Sequence, residues 1–243
     1  MTDQKDALSH LSKRVISRIG IQYPKHVVII PDGNRRWTRE RNKPTFFGHK
    51  KGFDRAIDLV EYARKLEIKY LTIWGFSTEN WNRSEGEVGY LMKIFERMLK
   101  KIECKLIRNQ ISFHHFGRKD RLPKNLLKLI AKLENEMKKF TDYHFALCLD
   151  YGGRDELTRA FNKIDKNKPT KEIEINEALD SKDFPDVDFI IRTSGEQRLS
   201  GMMPWQSVYA ELYFSPKYFP DFDRKQFLEA LGEYSLRQRR LGR

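Results

Sequence analysis

Cysteine is scarce in this chain of 243 residues, which carries only Cys104 and Cys148. The two cysteines lie far apart and form no Cys-x-x-Cys pair. This argues against a disulfide framework and against a cysteine-based zinc site, and it fits a reducing compartment. We therefore expect a cytoplasmic protein.

Long hydrophobic runs are also missing. No apolar stretch approaches the roughly 18 residues that a membrane-spanning helix needs, and the charged N-terminus lacks a signal-peptide core. We expect a protein that is soluble or associates with a membrane only peripherally. The segment 1–22 is predicted to contain an amphipathic helix that packs across the domain or a subunit boundary, with a membrane-surface helix as the alternative. Its apolar face consists of Ala7, Leu8, Leu11, Val15 and Ile19.

Acidic residues are outnumbered, with 34 Asp and Glu against 47 Lys and Arg and a formal net charge of +13. Such a balance favours phosphorylated small molecules, acidic membrane surfaces or nucleic acid as partners. Charge alone does not separate these partners, and a lysine-rich exterior explains much of the excess. The sequence has no nucleic-acid-binding motif and no recognisable stacking platform, so we expect no nucleic-acid partner.

Strand-like and helix-like patterns alternate along the whole chain, without repeats or low-complexity stretches. This alternation predicts an α/β fold with a central, mostly parallel β-sheet flanked by helices, built as one domain over residues 1–243 with a basic tail at 236–243. Predicted strands cover 27–30, 70–76, 111–116, 144–149 and 187–191, and predicted helices include 85–108, 124–140, 155–164 and 224–234.

The first predicted strand ends in the polar run Asp32-Gly33-Asn34-Arg35-Arg36. Ligands of open α/β sheets bind at the carboxyl ends of strands. A carboxylate there suits a hard cation, and two guanidinium groups suit phosphate oxygens. For this motif alone, an ordinary strand-to-helix turn with Asp32 as N-cap and solvated arginines carries about equal weight.

Other predicted strands end in similar chemistry. The second is followed by the run Ser77–Arg83, and the fifth by the run Arg192–Ser200. His49, between glycines at a predicted helix start, is of a type that can donate to a bound anion, although a lone histidine is more often structural. Glu211 lies inside the aromatic run Tyr209–Phe214.

These five motifs, taken in their order along the chain, resemble the cis-prenyltransferase family, and within it the undecaprenyl diphosphate synthases. The resemblance covers nearly the whole chain. It implies a homodimer with an apolar tunnel, which uses Mg²⁺ to condense isopentenyl diphosphate with an allylic diphosphate such as farnesyl diphosphate. The Asp-Asp-x-x-Asp metal motif of the trans-prenyltransferases is absent from the sequence, which agrees with the cis family.

The resemblance also implies residue roles. Asp32 and Asn80 are the implied catalytic residues, with Asp32 assisting departure of the allylic diphosphate and Asn80 at a position proposed for proton removal. Asp32 and Glu211 are the implied metal ligands, and Glu211 reaches across the dimer. The implied substrate contacts are Gly33, Asn34, Arg35, Arg36, Trp37, His49, Ser77, Thr78, Glu79, Trp81, Arg83, Arg192, Arg198, Leu199, Ser200, Arg240 and Gly242.

Some positions depart from the family pattern. Pro31 replaces a usual Met, and Gly201–Pro204 replaces a more usual Asn-Phe start. Thr45 stands where many members have an arginine for the allylic diphosphate, and we predict that Arg35, which replaces a common Gly, compensates. Gln197 stands where some members have a His near the metal, so Asp32 and Glu211 are the better metal ligands.

Two alternatives share the predicted fold. One is a short-chain or branched-product isoprenyl diphosphate synthase, and the other is a non-catalytic partner subunit. The intact Asn34, the Phe47-Gly48-His49 element and the complete run Ser77–Arg83 favour ordinary chain elongation, and Asp32 with its arginines disfavours a non-catalytic role. The apolar stripe of the helix at 85–108 (Met92, Phe95, Met98, Leu99, Ile102) is the predicted tunnel lining, with core packing as the alternative.

Overall fold

The computed structural model describes residues 23–165 and 167–237. The predicted N-terminal helix, and Arg240 and Gly242 of the basic tail, lie outside the described residues. Within them, no helix is both long and apolar enough to cross a membrane.

The predicted parallel sheet is confirmed. Its strands are β1 (His26–Ile30), β2 (Tyr70–Ser77), β3 (Ile111–Phe116), β4 (Tyr143–Tyr151), β5 (Phe189–Arg192) and β6 (Glu211–Phe214). They form a six-stranded sheet in the order β3-β4-β2-β1-β5-β6, and every neighbouring pair is parallel.

Helices connect and flank these strands. They are α1 (Asn34–Arg39), α2 (Thr45–Lys65), α3 (Glu85–Arg108), α4 (Lys124–Met137), α5 (Gly153–Lys163), α6 (Glu172–Ala178) and α7 (Arg224–Ser235), with 3₁₀ turns at Thr78–Asn82 and Phe219–Asp221.

Strand β1 is buried along its whole length, and its side chains alternate between two hydrophobic cores. Val27 and Ile29 face the larger core, which includes side chains of α2, α3, α4 and α7. Val28 and Ile30 face a smaller core on the opposite side of the sheet. Both faces of the strand are apolar because both are covered, as is usual for parallel sheets.

The strand order reverses beside β1. The chain leaves β1 for β2 on one side, and it leaves β5 for β6 on the other. The crevice between the carboxyl ends of β1 and β5 is therefore a topological switch point, where open α/β sheets bind ligands. The residues that follow the two strands, Asp32 and Thr193, lie in this crevice.

Candidate active site

Asp32 is fixed in place through both its backbone and its carboxylate. Its amide N–H donates to Thr193 Oγ1 at 2.8 Å. Its carboxylate accepts from Arg36 Nη2 at 3.1 Å and from Arg192 Nη2 at 2.9 Å. Burial alone would raise the pKa of Asp32, but the hydrogen bonds from Arg192 and Arg36 hold this pKa below its usual value. Asp32 is therefore an anion at neutral pH.

The idea that Asp32 is an ordinary N-cap is wrong. Gly33 is the N-cap residue of α1, with a φ of 99°, and no side chain caps this helix. A Cβ at Gly33 would lie 2.5 Å from the Tyr218 ring, so the position needs glycine for both its conformation and its space. The Asp32 carboxylate is consequently free to contact the arginines.

Arg192 and Arg36 connect Asp32 to the loop after β5. Arg192 is almost buried, and its Nη1 donates to Ser200 Oγ at 2.7 Å and to the carbonyl of Arg198 at 2.5 Å. Arg36 donates to Glu196 at 2.6 Å, and Glu196 also pairs with Arg198. These contacts bring together the polar run that follows β1 and the polar run that follows β5.

Asn34 is held close to α2 by two glycines. A Cβ at Gly48 would lie 2.2 Å from the Asn34 carbonyl oxygen, and one at Gly52 would lie 2.5 Å from Asn34 Oδ1. Asn34 Oδ1 is buried and has no hydrogen-bond partner among the described residues. This oxygen packs toward Gly52. Because the residue lines the cavity, its amide NH₂ is the group that can donate to a bound ligand.

His49 is a second residue with a buried polar atom that lacks a hydrogen-bond partner. Its Nε2 has no partner among the described residues, and the side chain lines the same cavity as Asp32 and Asn34. Burial, with a further contribution from Arg83, lowers the pKa of His49 to about 4. The imidazole is therefore neutral at pH 7, and it can hydrogen-bond a ligand without adding charge.

Two adjoining cavities meet at Asp32, Asn34 and His49. The first, of about 240 Å³, extends between the sheet and the two helices α2 and α3, where its lining is largely apolar and includes Phe53, Leu91, Phe95, Met98 and Leu147. The second, of about 650 Å³, is bordered by cations, among them Arg35, Arg36, Arg39 and Lys43. The site thus joins a cationic surface to an apolar cavity.

Only part of the predicted tunnel lining faces this apolar cavity. Phe95 and Met98 line it, whereas Leu99 and Ile102 are buried in the larger core. For Leu99 and Ile102 the core-packing alternative is therefore correct. Met92 lines a separate groove with Trp81 and Leu126.

The run Ser77–Arg83 lies over the cavity. It begins with the last residue of β2 and continues as the 3₁₀ turn Thr78–Asn82. Ser77, Asn80 and Arg83 line the cavity. Asn80 Oδ1 accepts from the Ser77 amide at 3.1 Å, which uses one of the two lone pairs of the oxygen and leaves the amide NH₂ available to a ligand. Asn80 can therefore donate to a ligand, and its role in proton removal stays a prediction.

The other residues of this run have different surroundings. Thr78 Oγ1 donates to Glu79 at 3.0 Å. Trp81 packs edge to face on Phe76, and its Nε1 is buried without a partner among the described residues. Trp81 therefore anchors the run to the sheet.

Trp37, Leu199 and Glu211 lie apart from the two cavities. Trp37 is buried and donates from Nε1 to Asp221 at 2.8 Å. Leu199 packs against the smaller core. Glu211 begins β6 and pairs with Arg237 at 2.9 Å. Because Glu211 is level with Phe189, at the start of β5, it lies at the opposite end of the strands from Asp32.

Sequence reasoning missed three contributors to the site. Glu196 and Glu87 each contact two of the predicted substrate arginines, and Thr193 fixes the Asp32 backbone. Glu196 and Thr193 lie inside a motif that was already recognised, so their positions could have been noted. Glu87 lies outside every motif, and its spacing from Ser84 is typical of a helix cap rather than of a binding site.

The site suits Mg²⁺ that is bound together with a substrate diphosphate better than Mg²⁺ that is bound by protein ligands alone. The described residues contain no cluster of three or more His, Cys, Asp or Glu side chains that could hold a metal ion. Asp32 offers one carboxylate at the edge of the cationic cavity. Mg²⁺ commonly binds through one or two carboxylates, with water and substrate phosphate oxygens completing the shell.

Fold and site together define an α/β protein with a cationic surface at the carboxyl edge of a parallel sheet, beside an apolar cavity. Residues 30–242 match the Prenyltransf family model of undecaprenyl diphosphate synthases. The chain is 44% identical over 228 residues to the isoprenyl transferase of Aquifex pyrophilus, covering 93% of this chain and 98% of that protein.

Solved structures agree with this match. Lavandulyl diphosphate synthase from Lavandula x intermedia, in complex with dimethylallyl diphosphate, superposes with a TM-score of 0.87 at 37% identity, covering 91% of this chain and 99% of that one. A probable undecaprenyl diphosphate synthase from Campylobacter jejuni superposes with a TM-score of 0.78 at 29% identity, covering 91% and 100%. The chain belongs to the cis-prenyltransferase family, and it is a prenyl-transferring enzyme of the cis type.

Proposed function

We propose that the enzyme elongates an allylic diphosphate, with farnesyl diphosphate as the primer, by successive condensation with isopentenyl diphosphate. The product is a long-chain Z-polyprenyl diphosphate such as undecaprenyl diphosphate. The observation that carries this proposal is the position of Asp32. Its carboxylate is held between Arg36 and Arg192 at the junction of the cationic and apolar cavities.

Departure of the allylic diphosphate develops negative charge on its oxygens. Arg35, Arg36 and Arg83 border the cationic cavity, and fixed positive charges there stabilise that transition state. At about 4 Å and an effective dielectric constant near 20, each unit charge contributes roughly 4 kcal/mol. Asn34 and His49 supply the neutral hydrogen-bonding groups of the same cradle. Arg192, Arg198 and Ser200 form the proposed site for isopentenyl diphosphate.

Asp32 would hold Mg²⁺ together with substrate diphosphate, and the ion would supply further charge neutralisation to the leaving group. We assign Glu211 as the second protein ligand through the partner subunit of a homodimer, because within one chain it lies at the opposite end of the strands from Asp32. Arg240 and Gly242 are assigned to the same partner contact.

The prenyl chain would occupy the apolar cavity and extend between α2 and α3. Each added unit buries apolar surface, at about 0.8 kcal/mol per CH₂, so a long product leaves slowly in water. Peripheral membrane contact through the product follows from this, for a protein that works in the cytoplasm.

A second candidate is a short or branched coupling product. It is favoured by the likeness to lavandulyl diphosphate synthase. The discriminating experiment incubates the purified protein with labelled isopentenyl diphosphate, farnesyl diphosphate, Mg²⁺ and a little detergent, with EDTA as the control. A metal-dependent ladder of dephosphorylated products ending at a long polyprenol supports elongation. One short product with dimethylallyl diphosphate as the primer supports branched coupling, and no product with any primer supports a non-catalytic subunit.

A further inference from the structure

Glu87 connects two arginines of the cationic cavity that belong to different elements. Its Oε1 accepts from Arg83 Nη1 at 3.1 Å and lies 4.0 Å from Arg35 Nη1. Arg83 ends the run that covers the cavity, and Arg35 belongs to α1. The Glu87 side chain is only 22% exposed, so the ion pair with Arg83 is partly shielded from water. One carboxylate therefore lies close to two cations that border the cavity and belong to different elements.

A helix-capping role does not account for this geometry. Ser84 and Glu87 have the spacing of a capping box, in which the glutamate side chain returns to the backbone N–H of the N-cap residue. Half of that motif is present, because Ser84 Oγ accepts from the Glu87 amide at 3.4 Å. The Glu87 carboxylate instead points to Arg83 and Arg35.

We propose that Glu87 is an internal counter-ion that competes with the allylic diphosphate for Arg35 and Arg83. The competing anion is taken from the proposed function, although the repulsion by Glu87 requires only that the cavity binds a diphosphate. His49 lines the same cavity as Arg35 and Arg83, and the charges of Arg83, Glu87 and Arg35 all act on its pKa. A diphosphate that contacts Arg83 and His49 is thus placed close to the Glu87 carboxylate.

Two consequences follow from like charges at short range. Glu87 lowers the affinity of the cavity for diphosphate, because the bound anion and the carboxylate repel each other. It also keeps the two arginines neutralised when the cavity is empty, which limits repulsion between them. Glu87 therefore acts as a positioning residue that keeps diphosphate binding weak enough for exchange of substrate and product.

The test compares two substitutions in the first turn of α3. Glu87→Gln removes the proposed counter-ion. Glu85→Gln is the matched control, because it removes the same charge from the same turn, where Glu85 is exposed. The dissociation constant of inorganic diphosphate is measured by calorimetry in EDTA, at low and at high salt. Since no turnover is involved, the result is independent of whether the enzyme elongates prenyl chains.

We expect Glu87→Gln to lower the dissociation constant about threefold to tenfold at low salt, with a smaller difference at high salt, where the repulsion is screened. Glu85→Gln should stay within about twofold of the parent. Equal dissociation constants for the two variants, or weaker diphosphate binding by Glu87→Gln, would overturn the proposal. Either result is expected if the Glu87 carboxylate has only a structural role.

A second variant covers the case in which Glu87→Gln folds poorly. Glu87→Asp keeps the charge but withdraws it from Arg83, and its diphosphate affinity should lie between those of the parent and Glu87→Gln. Arg83→Gln, made in the parent and in Glu87→Gln, completes a double-mutant cycle. Removing Arg83 should weaken diphosphate binding more when Glu87 is absent, and additive effects would contradict the competition.

Discussion

Arg192 Nη2 donates to Asp32 Oδ2 at 2.9 Å, across the neighbouring strands β5 and β1. The arginine side chain is 6% exposed and the aspartate 29% exposed, so the cation is buried while the anion reaches the cavity. A buried guanidinium needs acceptors. Asp32, Ser200 and the Arg198 carbonyl accept from its two Nη groups, whereas its buried Nε has no partner among the described residues. The pair thus fixes both the geometry and the charge of the site.

Asp32→Ala should reduce kcat by at least about a thousandfold, because it removes the carboxylate that we assign to Mg²⁺ and to departure of the diphosphate. The fold should persist, since Arg192 keeps two of its acceptors. Product assays and urea unfolding check the two parts. Asp142→Ala, at an exposed position before β4, is the control. Retained turnover in Asp32→Ala would remove Asp32 from the mechanism.

Arg35→Gly tests whether Arg35 replaces the arginine that is missing at Thr45. Arg35 and Thr45 line the same cationic cavity, and the Arg35 side chain is 61% exposed. Its loss should raise the KM of the allylic diphosphate about fivefold or more, as expected for one charge-assisted hydrogen bond, and leave the KM of isopentenyl diphosphate within about twofold. Arg35→Lys should recover part of the affinity. An unchanged allylic KM in Arg35→Gly would reject the compensation.

Gly48→Ala should destabilise the contact between α1 and α2. The new Cβ would lie 2.2 Å from the Asn34 backbone oxygen, and such overpacking costs about 1–3 kcal/mol. Gly89→Ala in α3 is the matched control, because a Cβ there has no neighbour within 4 Å among the described residues and alanine favours a helix by about 1 kcal/mol. The free energy of unfolding, measured in urea, should therefore fall in Gly48→Ala and rise in Gly89→Ala. Equal stability of the two variants would show that α1 moves freely.

The elements that sequence predicts well are those whose burial is periodic. Helix α3 has the predicted bounds, since Ser84 marks its start and a regular apolar stripe marks its length. Helix α1 was only an alternative interpretation of its sequence, because its run of polar residues has no apolar period. Gly48 and Gly52 let it pack closely on α2. Strand β6 was missed because it is short and only partly buried.

The same distinction holds at the site. Residues at strand ends could be placed from sequence, because parallel strands bring their carboxyl ends together. The pairing of Arg36 with Glu196, or of Arg35 with Glu87, depends on side-chain directions across different loops. No spacing rule gives these directions, so the counter-ions emerged only from the structure.

His26 gives the fold a pH-dependent stability that can be measured apart from activity. The ring is fully buried, its Nδ1 donates to the Pro185 carbonyl at 2.9 Å, and its Nε2 accepts from Thr72 Oγ1 at 2.9 Å. Burial lowers the pKa of His26 to about 4. The neutral ring satisfies both bonds, whereas protonation at Nε2 would remove the acceptor that Thr72 needs.

Between pH 6.5 and about 4 the unfolded chain therefore binds this proton and the folded chain does not. The free energy of unfolding should fall as the pH is lowered through that window, by about 3 kcal/mol from His26 alone. Urea unfolding at several pH values measures the fall, and NMR titration of the ring assigns it. His26→Gln removes the titrating group. The slope of its unfolding free energy against pH should therefore be smaller, by the amount that corresponds to about one bound proton. A His26 ring that titrates near 6.5 in the folded protein would contradict the prediction, because the fold would then gain nothing from keeping the ring neutral.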